Sequence, residues 1–106
     1  MPRDDAEAMK WYHKAAEQGG AQAQEKLGAR YALGQGLKKD EAAAAHWLRK
    51  AADQGEAQAQ TLLGFMYADG RGVPEDDAEA LKWWRNAARQ GEQMAQRQLR
   101  KLGLTW

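Results

Sequence analysis

Residues Ala57–Gly91 read AQAQTLLGFMYADGRGVPEDDAEALKWWRNAARQG, and the pattern of this stretch decides the fold. It runs as helix, glycine-rich turn, helix and stop. Most of its signature residues recur elsewhere at one spacing: Trp83 lies 36 residues after Trp47, which lies 36 after Trp11. The same step links Gln18-Gly19, Gln54-Gly55 and Gln90-Gly91, the pairs Ala15-Ala16, Ala51-Ala52 and Ala87-Ala88, and Leu27, Leu63 and Leu99. A fixed period of this size marks stacked helical units, each unable to bury its own apolar face.

Working outward from that stretch, the spacing predicts an all-α chain of about six helices with a period of 36 residues. Each unit has a first helix (A) and a second (B). Mapping the repeat back places Met1–Asp4 in the turn between two helices, so 1–20 is a half unit carrying a B helix, at about Asp5–Gln18. Units 21–56 and 57–92 are complete, with A helices at Ala21–Leu33 and Ala57–Asp69 and B helices at Glu41–Gln54 and Asp77–Gln90. Residues 93–106 form a second half unit, an A helix at about Gln93–Leu102 and a tail. The whole of 1–106 reads as one repeat domain.

Local signals agree with this division. Asp4, Asp40 and Asp76 stand where a B helix needs a side-chain acceptor for its free N–H groups, and Glu7 and Glu79 complete the spacing of a capping box. The turns hold Gly34 and Gly36, then Gly70 and Gly72, and the aliphatics Leu37 and Val73 can plug back between helices. Ala23, Leu27 and Tyr31 share one stripe, as do Ala59, Leu63 and Tyr67. Gly28 and Gly64 follow the leucines inside their helices, where glycine costs roughly 1 kcal/mol, so a neighbouring helix is expected to pass close by. Trp11, Trp47 and Trp83 are each flanked by alanines one turn away, and all three rings are expected to be buried against the next hairpin. On that footing Trp47→Ala should cost about 3–5 kcal/mol.

The set Ala59, Leu63-Gly64, Tyr67, Gly70-Arg71-Gly72-Val73, Asp76, Ala80, Trp83, Ala87-Ala88 and Gln90-Gly91 resembles the Sel-1-like repeat family, relatives of the tetratricopeptide repeats. The unit before it carries most of the same set, from Ala23 to Gln54-Gly55. Arg100 and Gly103 depart from the pattern, at the places of the A-helix glycine and tyrosine. The resemblance implies antiparallel helix pairs stacked into a right-handed superhelix, an adaptor role in protein assemblies, and a bacterial source. By likeness to the tetratricopeptide relatives, a peptide or protein partner is expected on the concave wall of A helices. The positions are Gln22, Glu25, Lys26 and Ala29 in the first unit, Gln58, Thr61, Leu62 and Phe65 in the second, and Met94, Arg97, Gln98 and Lys101 in the last helix. Leu62 and Phe65 are apolar where the unit before has Lys26 and Ala29, and Arg97 and Lys101 stand one turn apart. That combination suits a segment with an apolar anchor and an acidic residue.

The ends suggest a second surface. Repeat arrays need polar caps, and here the end helices carry Met9 and Tyr12, and Leu102 and Trp106. Self-association through these faces, or continuation of a longer array, is the alternative reading; the other is that Trp106 and the leucines fold back as a cap.

Composition excludes other classes. Charged residues are 29% of the chain with a net charge of +1, so no global field draws it to nucleic acid or anionic lipid. No apolar run approaches the ~18 residues of a membrane span. The absence of cysteine rules out disulfides and thiolate zinc sites but leaves the compartment open: cytoplasmic, or periplasmic or secreted if a signal was removed. His13 and His46 lack the partners of a metal site. Gly70-Arg71-Gly72 follows a helix, not a strand, which argues against phosphate binding. Glu75, Asp76, Asp77 and Glu79 suit helix capping better than calcium. Lys82, Arg85, Arg89, Arg97, Arg100 and Lys101 face only Glu92, and read as a solvated face without interleaved aromatics. With no nucleophile constellation and no cofactor motif, the chain reads as an interaction module and not an enzyme.

Overall fold

The computed structural model describes residues 5–35 and 37–106. The expected opening turn, the cap at Asp4 and the turn glycine Gly36 lie outside these residues. Six helices follow one another: α1 (Asp5–Glu17), α2 (Ala21–Leu33), α3 (Glu41–Asp53), α4 (Ala57–Asp69), α5 (Asp77–Arg89) and α6 (Gln93–Lys101). No strand occurs among the described residues. Each helix packs on its neighbours in sequence, and α2 also runs against α4. The result is elongated, 46 × 25 × 24 Å, as expected when contacts pass only from unit to unit. No helix of the described residues is long and apolar enough to cross a membrane.

Each complete hairpin closes on its A-helix glycine. A Cβ at Gly28 would lie 2.7 Å from Leu48 Cγ, and one at Gly64 would lie 2.5 Å from Trp84 Cδ1. What crowds these glycines most is therefore a side chain of the paired B helix; near Gly28 the Ala44 carbonyl also comes within 3.1 Å of that Cβ. Around this contact Leu27, Leu63 and Leu99 are wholly shielded from solvent, each worth about 1.5–3 kcal/mol of burial. The turns pack on the preceding unit. Gly72 has φ +75°, and a Cβ there would meet the Glu41 carbonyl at the start of α3, so this position needs glycine on both counts. Arg71 beside it pairs with Glu41, while Leu37 and Val73 plug the adjoining clusters as the turn sequences suggest.

The three repeated tryptophans are not equally buried, which corrects the expectation for them. Trp83 is 5% exposed, within the cluster of Ala44, Ala45, Leu48 and Met66. Trp47 is half-buried against the cluster of Met9, Ala16 and Leu27, so its truncation will cost less than the 3–5 kcal/mol of a fully buried ring. Trp11 is 72% exposed. The cause is direction: this face of a B helix packs on the unit before it, not on the next hairpin, and α1 is the first described helix. Met9, expected on an end face, is instead core, at 4% exposed.

Polar groups repeat with the units as well. Gln24 and Gln60 are buried and donate to the carbonyls of Ala16 and Ala52 (3.0 and 3.2 Å). Each accepts in turn from the B helix of its own unit, Gln54 to Gln24 Oε1 at 2.8 Å and Gln90 to Gln60 Oε1 at 3.0 Å. This amide ladder adds a second donor to helix-end carbonyls that already accept from the Gly19 and Gly55 N–H groups. Asp40 and Asp76 cap α3 and α5, accepting from Ala43 and Glu79 N–H groups at 3.0 and 3.1 Å. The return arm of a capping box is missing, since the Asp76 N–H donates to the Tyr67 carbonyl. Glu56 and Glu92 cap α4 and α6.

Candidate functional site

The A helices α2, α4 and α6 supply the wall on which the partner residues were expected. Between α2 and α4 lies a cavity of about 180 Å³, lined by Ala29, Ala32, Leu33, Leu48, Leu62, Phe65 and Met66, with Asp69 and Arg71 also on its wall. Three expected residues, Ala29, Leu62 and Phe65, meet here. Phe65 is held edge-on to the buried Trp84 ring, centroids 5.1 Å apart, so it is a fixed wall and not a free anchor. Leu33, 67% exposed, adds an apolar lip that the sequence reading did not single out. A second cavity of about 270 Å³ is lined by Gln58, Thr61, Leu62, Glu92 and Met94. Leu62 borders both cavities, and Met94 is 52% exposed.

Other expected residues fall elsewhere. Thr61 is not available to a partner through its hydroxyl: it is 2% exposed and bonds the Ala57 carbonyl and Glu92 Oε1 (3.1 and 2.6 Å). A helix-wall threonine becomes structural here because it sits against the cap of the next A helix. Gln22 and Lys26 are exposed on α2 and line neither cavity. Glu25 is half-buried, and its carboxyl is pushed above the ordinary value by burial and then by the charge of Glu56, with Lys26 opposing. Arg97 and Lys101 are exposed and line neither cavity. Gln98 lines a separate cavity with Trp84, Leu102 and Leu104.

The basic stretch is largely spoken for within the chain, and only part of it is the free solvated face expected. Arg85 and Arg89 donate to the Thr105 and Trp106 carbonyls (3.3 and 3.1 Å), Arg100 stacks on the Trp106 ring, and Lys82 lies over Trp83. Trp106 is thereby laid back over the last helices, at 37% exposed. Tyr12 is half-buried under Arg30. His46 is exposed, as expected, while His13 is engaged through Nε2 with the Tyr31 hydroxyl at 3.0 Å, the place that Arg49 takes against Tyr67 one unit on. Among the described residues no group of three or more His, Cys, Asp or Glu side chains could hold a metal ion.

An array of helix pairs with this period, glycine contacts and turns defines a helical-repeat solenoid. The Sel1 repeat family model matches residues 1–20, 21–56 and 57–92, and the chain belongs to that family. In structure it is similar to a protective antigen of uropathogenic Escherichia coli with an SLR fold, at 42% identity and TM-score 0.90 over 93% of this chain and 21% of that one. It is also similar to a Sel1 repeat protein from Oxalobacter formigenes, at 42% identity and TM-score 0.88 over 92% of this chain and 28% of that one. A third likeness is to Helicobacter pylori cysteine-rich protein B, at 29% identity and TM-score 0.77 over 82% of this chain and 65% of that one. The chain thus spans about a fifth to a quarter of the first two. No curated protein matches it by sequence. Sel1 repeats serve in general as protein-interaction modules and non-enzymatic scaffolds.

Proposed function

We propose that the chain is a docking module whose A-helix wall receives a segment of a partner protein. One large aliphatic or aromatic side chain of that segment enters the cavity between α2 and α4. The observation that carries this reading is the meeting of Ala29, Leu62 and Phe65, with Leu33 and Met66, around one apolar recess. Its volume decides what it holds. At about 180 Å³ it falls below the roughly 300–1,000 Å³ of cofactor and drug-sized sites, and suits a single side chain. The second recess, across Leu62, would take the next anchor, with Met94 as its adaptable wall. An acidic residue further along, toward α6, would meet Arg97 and Lys101 from solution.

Selection of random peptides on the immobilised chain tests this. Enriched peptides should share an aliphatic or aromatic anchor and lose binding to Leu62→Lys, which copies Lys26 onto the wall at a half-buried position. No enrichment, or peptides that bind Leu62→Lys as well as the wild type, would refute the reading.

A further inference from the structure

The unevenly buried tryptophans point to a second surface, separate from the A-helix wall. Trp83 is seated among Ala44, Ala45 and Leu48 of the preceding unit and Met66 of its own. Moving each of those positions one period along gives Ala80, Leu81, Trp84 and Leu102. All four line a cavity of about 400 Å³ at the C-terminal end of the array. Leu102 is 50% exposed there, whereas its counterpart Met66 is 7% exposed. At the other end Trp11 stands 72% exposed, in the repeat position whose next two occupants are Trp47 and Trp83. Among the described residues, therefore, Trp11 is an indole without a seat, and the Ala80–Leu81–Trp84–Leu102 cavity a seat without an indole.

We propose that a second copy of this chain docks head to tail, Trp11 of one copy entering the Ala80–Leu81–Trp84–Leu102 cavity of the next. The joint repeats one already made within the chain, where α5 packs on α4 of its own unit and seats Trp83 against α3 of the unit before. The amide ladder continues in the same register: Gln96 Nε2 already donates to the Ala88 carbonyl at 2.9 Å, as Gln24 and Gln60 do to theirs. Gln18 of the incoming copy holds the position of Gln54 and Gln90, and would donate to Gln96 as they do to Gln24 and Gln60. Two features make this joint looser than an internal one. Leu104 already packs on the cluster of Trp84 and Leu99. Arg100 stands where Gly28 and Gly64 receive Leu48 and Trp84, so Tyr12 of the incoming copy meets a guanidinium and stays further out. Association is accordingly weak, and because the contact is heterologous it does not close on a dimer but extends.

Sedimentation velocity and light scattering of the chain from about 1 µM to about 1 mM span the affinities in question. The mean mass should rise with concentration and pass that of a dimer. Trp11→Ala and Leu102→Glu, both at exposed positions, should keep the far-ultraviolet circular dichroism of the wild type and remain monomeric alone. Their equimolar mixture should form a heterodimer and nothing larger, because one variant retains the seat and the other the indole. A monomeric wild type throughout, as when some other partner covers Trp11, overturns the proposal. So does association that survives Trp11→Ala, or a mixture that stays monomeric or grows past two.

Discussion

Gly64→Ala should destabilise the protein although alanine favours a helix. By propensity alone the change stabilises a helix interior by roughly 1 kcal/mol. Here the new Cβ would lie 2.5 Å from both Cδ1 and Nε1 of Trp84 and 3.1 Å from its Cε2. The indole cannot swing aside cheaply. It is 3% exposed, its Nε1 donates to the Thr61 carbonyl at 3.3 Å, and the Phe65 ring stands against it. Overpacking of that kind costs about 1–3 kcal/mol or more, which outweighs the propensity gain. We expect a net loss of about 1–2 kcal/mol, or roughly 5–15 °C in melting midpoint for a chain of this size. Thermal and urea unfolding of the wild type, Gly64→Ala, Trp84→Leu and the double variant would show it. In the Trp84→Leu background the alanine should cost less than in the wild type, since the atoms it meets are mostly gone. A Gly64→Ala protein that melts a few degrees higher than the wild type would mean that the indole does not rest on this glycine.

Three further outcomes follow from the same packing. Trp83→Ala should cost about 3–5 kcal/mol and Trp11→Ala close to nothing in a dilute monomer, compared by urea unfolding. Gln60→Ala should cost about 0.5–1.5 kcal/mol, because it removes the bonds to the Ala52 carbonyl and to Gln90 while that carbonyl keeps the Gly55 N–H. Glu25 holds its proton above the ordinary 4.5 in the folded state, so the folded chain binds more protons than the unfolded one just above that pH. The contribution is present in full below 4.5 and is lost as pH rises through the raised folded value. Glu25→Gln should flatten the fall of stability across that window and leave the protein more stable at neutral pH; an unchanged profile would reject the burial and the Glu56 repulsion as its causes.

The period made the helices, turns and glycine contacts legible, because each depends on local spacing. The orientation of a B helix was not. Met9 and Trp11 both lie on plausible apolar faces, and only the direction of stacking shows that Met9 looks to the following unit and Trp11 to the preceding one. The amide ladder was hidden for another reason: nothing in local spacing marks Gln24 and Gln60 until the carbonyls of Ala16 and Ala52 are placed beside them. Glu56 and Glu92 escaped as caps because the Ser, Thr, Asp and Asn rule does not point to glutamate. Within the wall, Leu62 and Phe65 stood out by contrast with Lys26 and Ala29, and they do share a recess. Arg97 and Lys101 were grouped with them by likeness to the tetratricopeptide relatives, and they line neither recess.

How the units join is tested most directly by the side-chain N–H signals of the five tryptophans in a dilute sample, recorded by nuclear magnetic resonance with a soluble paramagnetic agent. The Trp11 signal should broaden first, Trp47 later, and those of Trp83 and Trp84 should persist longest. A Trp83 signal as vulnerable as that of Trp11, or a Trp11 signal as protected as that of Trp83, would contradict the stacking described.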